Sequence, residues 1–318
     1  MYYCLASLSA FTPCLSSSTI TAEANYNGNI ATDSITLTYI NPITITITSP
    51  LDGATISRPD VMVQGIIINS TANETGVTVN GIIANVYGDQ FVVNHVPLEE
   101  GDNTITATAT DTDGNMETVS INVNAVTTGD YISITANTES GISPLETTLR
   151  VDGSFSFTEE PTITYDGPGQ VEFLESPTDN EYKVRITTEG IYYFTAEVMD
   201  DESNTYADSV AIVVLDKEEL DALLKAKWGG MKTALANKDI ENALKYFAEN
   251  AQELYSDLFT ALYDSLPQIV QELGDIQFIG MMENSAEYDI RTVRDDKEYS
   301  FYLLFVRDED GLWKISSF

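Results

Sequence analysis

A short sequence occurs twice in the first part of the chain, and it fixes what that part can become. Thr19-Ile20-Thr21-Ala22-Glu23-Ala24 matches Thr104-Ile105-Thr106-Ala107-Thr108-Ala109. Gly28-Asn29 then matches Gly114-Asn115. Thr32-Asp33-Ser34-Ile35-Thr36-Leu37 matches Thr118-Val119-Ser120-Ile121-Asn122-Val123, the second copy having one residue more before its turn. Apolar and polar residues alternate on both sides of the turn, so each copy reads as a β-hairpin with one face suited to a core. A lone two-stranded hairpin is marginal in water. Ahead of the first copy stand only residues 1–18, apolar and Ser-rich, without the positive charge that opens a secretory signal. Residues 1–40 are therefore expected to be an N-terminal segment ending in a partial repeat whose earlier strands lie upstream; a secretory start is the alternative. Cys4 and Cys14 fit either reading, and nothing requires them to pair.

Residues 41–128 carry the complete unit. Ile43, Ile45 and Ile47 alternate with Thr44, Thr46 and Thr48, and turn signals follow at Ser49-Pro50-Leu51-Asp52-Gly53, Asn80-Gly81 and Gly101-Asp102-Asn103. Short alternating runs at this spacing predict about seven strands in a β-sandwich. With Thr104–Asp111 closing the unit, these motifs resemble bacterial Ig-like repeats of the glucodextranase domain-B type. The resemblance implies a spacer or binding module and no catalysis.

Residues 129–215 form a second β unit. Its opening, Ile134-Thr135-Ala136 through Gly141-Ile142-Ser143-Pro144-Leu145, and its late strand Gly190-Ile191-Tyr192-Tyr193-Phe194-Thr195-Ala196-Glu197-Val198 resemble a PKD-type Ig-like domain. The family's central Trp-Asp-Phe-Gly-Asp-Gly motif is absent. Thr164-Tyr165-Asp166-Gly167-Pro168-Gly169 stands near its place, so ligand properties tied to that motif do not carry over.

Residues 216–318 change period. Leu220, Leu223, Leu224, Trp228, Met231 and Leu235 recur at helical spacing, and Asp239 is placed to cap a second helix at Ile240. A third helix through Leu254, Leu258, Leu262 and Leu266 is expected to kink at Pro267. Strands near 275–282, 285–293, 298–307 and 312–318 finish the chain, which makes this unit α+β. The run from Ala234 to Phe247 and the ending Asp310-Gly311-Leu312-Trp313-Lys314-Ile315 resemble the nuclear transport factor two-like (cystatin-like) superfamily, an α+β cone. The fold class is thus multidomain, two all-β Ig-like sandwiches followed by an α+β cone.

Charge narrows the function. The chain's 318 residues hold 15 Lys plus Arg against 50 Asp plus Glu, a net charge of −35. That field repels phosphate backbones and anionic lipid heads, so no nucleic acid is expected as partner. No apolar run reaches membrane-spanning length, so no membrane insertion is expected either. His95 is the single histidine, which removes most histidine-based acid–base chemistry and reads as structural. No catalytic residue is assigned. Asp257 and Asp264, seven apart on the third helix, and the domain's tyrosines are what an isomerase- or dehydratase-like site could draw on. Trp228, Tyr246, Tyr263, Met281 and Tyr299 are the residues expected to line a ligand pocket. Asp111, Asp113 and Asn115 place oxygens at alternate positions as calcium loops do, so calcium is the one cofactor considered. A hairpin turn explains the same residues, because the first repeat copy has no acid there. Asp200-Asp201-Glu202, Asp130 and Asp216 raise the same question.

These features describe a non-enzymatic modular protein, extracellular or at a cell surface. Its Ig-like domains would act as spacer or adhesion modules, strung out and displaying a C-terminal binding or association domain to an extracellular ligand, glycan or protein. The alternatives are an enzyme of the cone type and a carbohydrate-binding accessory module, which would need a coplanar aromatic platform on a sandwich.

Overall fold

The computed structural model describes residues 16–39, 41–157, 159–175, 178, 180–200, 202–294 and 297–318. Cys4, Cys14, Asp201 and the Asp295-Asp296 turn lie outside the described residues.

The two repeat copies form hairpins with the same register. β1 (Ser16–Tyr26) pairs with β2 (Asn29–Tyr39), placing Thr21 opposite Ser34, as Thr106 stands opposite Ser120 in the second copy. Asn27 and Gly28 close the first hairpin at φ 50° and 82°, the two positive angles of a type I′ turn. The cover differs. Ile105, Ile121 and Val123 are buried, whereas the matching Ile20, Ile35 and Leu37 are 38%, 58% and 51% exposed.

The first sandwich has one sheet of β3 (Ile43–Ser49), β5 (Asp60–Asn69), β9 (Gln90–Pro97) and β8 (Asn85–Tyr87), in that order. Facing it are β4 (Ala54–Ile56), β11 (Met116–Ala125), β10 (Gly101–Asp111), β6 (Thr75–Val79) and β7 (Ile82–Ile83). In β3 the isoleucines point in and the threonines out, which is the sequence alternation made physical. Nine strands replace the expected seven because β4, β7 and β8 are only two or three residues long, too short to leave a period.

The second sandwich repeats the plan. β12 (Ile132–Ala136), β14 (Leu145–Gly153), β17 (Glu181–Ile186) and β16 (Val171–Leu174) make one sheet. β13 (Ser140–Ile142), β19 (Thr205–Leu215), β18 (Gly190–Met199) and β15 (Thr162–Asp166) make the other. In both sandwiches the chain changes sheets after its first strand: β4 pairs parallel with β11, and β13 parallel with β19. Tyr192 is fully buried at the start of β18, and its hydroxyl donates to Thr188 O at 3.0 Å, the corner contact of Ig-type sandwiches. The Gly167-Pro168-Gly169 turn seats this ring: a Cβ on Gly167 would lie 2.3 Å from Tyr192 Cδ1. Tyr192→Phe should therefore cost about 1 kcal/mol in urea denaturation, the net worth of one hydrogen bond.

The last domain opens with α1 (Lys217–Ala236), α2 (Ile240–Leu244), α3 (Glu249–Ala261) and α4 (Leu266–Glu272). The antiparallel meander β20 (Ile276–Met282), β21 (Ser285–Arg294), β22 (Lys297–Arg307) and β23 (Trp313–Ser317) follows. Asp216 caps α1, accepting from the backbone N–H of Glu218 and Glu219 at 2.6 and 2.9 Å. Asp239 caps α2 through the N–H of Asn242 at 3.1 Å. Pro267 does not kink a third helix as expected. It sits in the first turn of the separate helix α4, where its missing N–H costs no intrahelical bond. The interior is filled: Leu224, Trp228 and Met231 of α1 pack with Phe247, Tyr255, Phe259, Tyr288 and Phe305.

The domains are not strung out. β19 ends at Leu215 and α1 begins at Lys217, so Asp216 alone separates the second sandwich from the third domain. That junction turns the C-terminal domain back onto the first sandwich. Arg307 of β22 donates to Ala84 O at 2.8 Å and to the Asn85 side chain. The first and second sandwiches also touch, through an apolar patch of Val92, Ile191, Ala211 and Val213.

Candidate functional site

The fold-back creates a cleft of about 720 Å³ where all three domains meet. Ile67 and Ile68 of β5, Val86 of β8, and Leu220 and Leu223 of α1 supply apolar walls, and Trp313 of β23 lies among them. Asp89, Asp216 and Glu219 add carboxylates. The size falls within the range of small-ligand sites.

Glu74 and Arg307 also line the cleft, and both belong to a buried charge cluster. Lys227 of α1 pairs with Glu74, which precedes β6, their side chains only 8% and 12% exposed. The other Glu74 oxygen accepts the backbone N–H of Trp313 at 2.8 Å. The Arg307 guanidinium lies 5.9 Å from the Trp313 ring centre. Burial pushes the Arg307 pKa down to about 10, against the pull of Glu283 and Glu74. Lys227 and Arg307 thus spend their charge holding domains together, Asp216 is engaged in capping α1, and the exposed Asp89 and Glu219 are left to meet a ligand. An anionic ligand is disfavoured there, and a neutral or cationic one is not.

The residues predicted from sequence do not share this cleft. Trp228 is buried in the domain core and donates from Nε1 to Gly274 O at 3.1 Å. Tyr246 is half-buried against Gly230, and Met281 packs on the core edge. Tyr263 is exposed just after α3, with Lys238 Nζ 4.6 Å from its ring centre. Tyr299 is exposed on β22. Asp257 and Asp264 are both exposed, Asp264 pairing with Lys238 at 3.2 Å. The nearest thing to an acid–base pair in the core is Tyr288, whose hydroxyl donates to Asp221 at 3.0 Å. Burial, with Asp221 beside it, raises the Tyr288 pKa far above the ordinary phenol range, which makes it a poor acid at neutral pH.

Asp111 is almost fully buried, and N–H donors reach both of its carboxylate oxygens. Oδ1 accepts the backbone N–H of Asp113 and Asn115 at 3.0 and 2.9 Å, and Oδ2 accepts from Asn69 and Asn115 side chains at 3.1 and 2.9 Å. Burial pushes its pKa up, but the hydrogen bonds from Asn115, Asn69 and Asp113 outweigh this and leave it below the ordinary carboxylate value. Asp113 accepts from the Asn73 side chain at 2.7 Å. A calcium ion would have to displace these donors. Asp111→Ala should lower stability by about 1–3 kcal/mol, equally in calcium and in chelator, as read by thermal melting.

Comparison with known proteins defines a class. Residues 43–127 match the family model for glucodextranase, domain B. No curated protein matches the chain. Among solved structures, fibronectin(III)-like modules of Clostridium thermocellum CbhA are 17% identical over 55% of this chain and 96% of theirs, with a TM-score of 0.21. Extracellular cadherin domains 1–4 of protocadherin gamma B7 are 12% identical over 63% of this chain and 57% of theirs, TM-score 0.20. An endo-fucoidan hydrolase of glycoside hydrolase family 107 is 16% identical over 67% of this chain and 37% of its own, TM-score 0.22. Superpositions this loose say nothing about function. The class is a modular, multidomain β-sandwich protein with an Ig-like first sandwich. Among the described residues no helix is long and apolar enough to cross a membrane.

Proposed function

We propose that this is a non-enzymatic binding protein, secreted or held at a cell surface. Its two Ig-like sandwiches fix the position of the C-terminal α+β domain and build a ligand cleft with it. The observation that carries the reading is the use made of the charged groups at the junction. Glu74, Lys227 and Arg307 are committed to contacts between domains, an arrangement that shapes a pocket rather than an acid–base pair. The partner is an extracellular ligand, glycan or protein, met at an apolar wall with a carboxylate rim.

An enzyme of the cone type would need a hollow interior, and the packed aromatic core of the last domain counts against it. A carbohydrate-binding accessory module would stack sugars on coplanar rings. The sandwich pair Tyr165 and Phe173 is instead tilted by 48° at 6.3 Å. The test is a glycan array and calorimetry on the whole chain beside Ile68→Trp, which fills the cleft from an exposed strand position. Binding of a neutral or cationic ligand should fall at least about tenfold in the variant, a loss of roughly 1.4 kcal/mol, with the melting temperature unchanged. Chemical turnover of a retained ligand, or undiminished binding by Ile68→Trp, would reverse the reading.

A further inference from the structure

The chain's one histidine stands where the first sandwich meets the second. His95 interrupts β9 at φ 50°, beside a slip in the pairing with β5 between Val61 and Val63. Its Nδ1 lies 3.3 Å from Asp60 Oδ2, and its Nε2 is buried without a hydrogen-bond partner. Arg58 donates from Nε to Asp60 Oδ1 at 2.8 Å and reaches across the junction to Asp208 of β19. The second Asp208 oxygen accepts the N–H of Ile134 at 2.8 Å. Next to the histidine, Asn94 grips the same strand: its Nδ2 donates to Ala211 O at 2.8 Å and its Oδ1 accepts from Ala211 N at 2.9 Å. Glu139, just before β13, is a further charged group on this side. It is half-buried and feels His95 and Glu283, and its backbone N–H donates to Glu283 Oε1 at 3.4 Å.

The geometry points to a proton-linked latch, in which protonated His95 holds the first sandwich closed on the second and its deprotonation loosens the junction. Closure brings two further carboxylates beside Asp60, Asp208 onto Arg58 and Glu139 towards His95. With His95 charged, two cations face them; with His95 neutral, only one does. Asp60 belongs to the histidine's own domain and favours its proton whether the junction is open or shut. Asp208 and Glu139 arrive only on closure, and both also favour the proton. Linkage then requires that the proton and the closed junction favour each other.

The signs agree across the neutral range. The His95 pKa is raised, chiefly by its hydrogen bond with Asp60 and against burial. Its stabilisation is therefore complete below the ordinary imidazole value of about 6.5 and is lost as pH rises through the raised one. Glu139 is raised by burial, so its contribution has the same sign. Asp60 opposes: burial raises it, but His95 and Arg58 bring it below the ordinary carboxylate value. Its contribution is lost only as pH falls through that lower value. The latch is tightest on the mildly acidic side of neutral.

With a single histidine, its ring resonances in the whole chain give the titration directly, and exchange of the Ala211 amide, corrected for intrinsic pH dependence, reports opening. Asp208→Asn should lower the His95 midpoint although residue 208 lies in the other domain. Ala211 exchange should rise up to about tenfold through the midpoint in the native chain and stay flat in His95→Gln. A midpoint unmoved by Asp208→Asn, or pH-dependent exchange that survives His95→Gln, overturns the latch. Should His95→Gln fail to fold, the histidine titration in Glu139→Gln decides in the same way as Asp208→Asn.

Discussion

Replacing Lys227 by methionine is expected to cost about 3–5 kcal/mol and to release the C-terminal domain from the first sandwich. The cost comes from what stays behind. One Glu74 oxygen keeps the N–H of Trp313 at 2.8 Å, but the other is buried with no hydrogen-bond partner and has the Lys227 ammonium as its direct ion-pair partner. Removing that ammonium leaves a carboxylate out of water without its ion-pair partner. Glu74→Leu strands the lysine by the same logic. The paired change Glu74→Leu with Lys227→Met should cost far less than either single change, since a buried ion pair barely repays its own desolvation. Urea denaturation of the four proteins gives the cycle. A double variant as unstable as Lys227→Met would show that packing, not charge, holds the junction.

What could be read in the sequence was local. The Ile-Thr alternation of β3, the Asn-Gly turns, the Asp216 and Asp239 caps and the α1 stripe each depend on residues a few positions apart, so each appears as a spacing. The junction depends on pairs far apart in the chain, and charged residues in an acidic sequence look like solvated surface. Two signals were nevertheless present. Lys227 stands three residues after Leu224 and four before Met231, on the buried stripe of α1. Arg307 continues the inward alternation of Leu303 and Phe305 on β22. A cation in line with a core face needs an anion from elsewhere. For the same reason the predicted ligand residues scattered: Trp228 has the period of a core residue and is one, while Tyr263 and Tyr299 follow helix and strand periods that do not say what lies opposite. Composition suggests an extended string but carries no information about a one-residue link such as Asp216.

Gly76→Val should separate the same two domains by a steric route. The C-terminal chain crosses the first sandwich backbone to backbone here. A Cβ on Gly76 would lie 2.2 Å from Asp310 O, 2.5 Å from Gly311 C and 2.7 Å from Leu312 N. None of these is a side chain that can rotate away. The β22–β23 turn cannot yield easily either, because Gly311 N donates to Asp308 O at 2.7 Å and Asp308 N to Leu312 O at 2.9 Å. Valine suits a strand better than glycine, so β6 itself should keep its pairing with β10 and the first sandwich should still fold. The damage falls on the contact. Glu74 loses the N–H of Trp313 and its lysine together, and the cleft opens along the wall that Gly311 and Trp313 supply. Scattering should show a larger radius of gyration than the native chain, and denaturation should split into two transitions. Because Gly76→Val and Lys227→Met break one interface, their combination should cost little more than the worse of the two, by a margin within about 0.5 kcal/mol. Full additivity would mean that the two contacts act separately, and an unchanged radius in Gly76→Val would mean that the domains are held elsewhere.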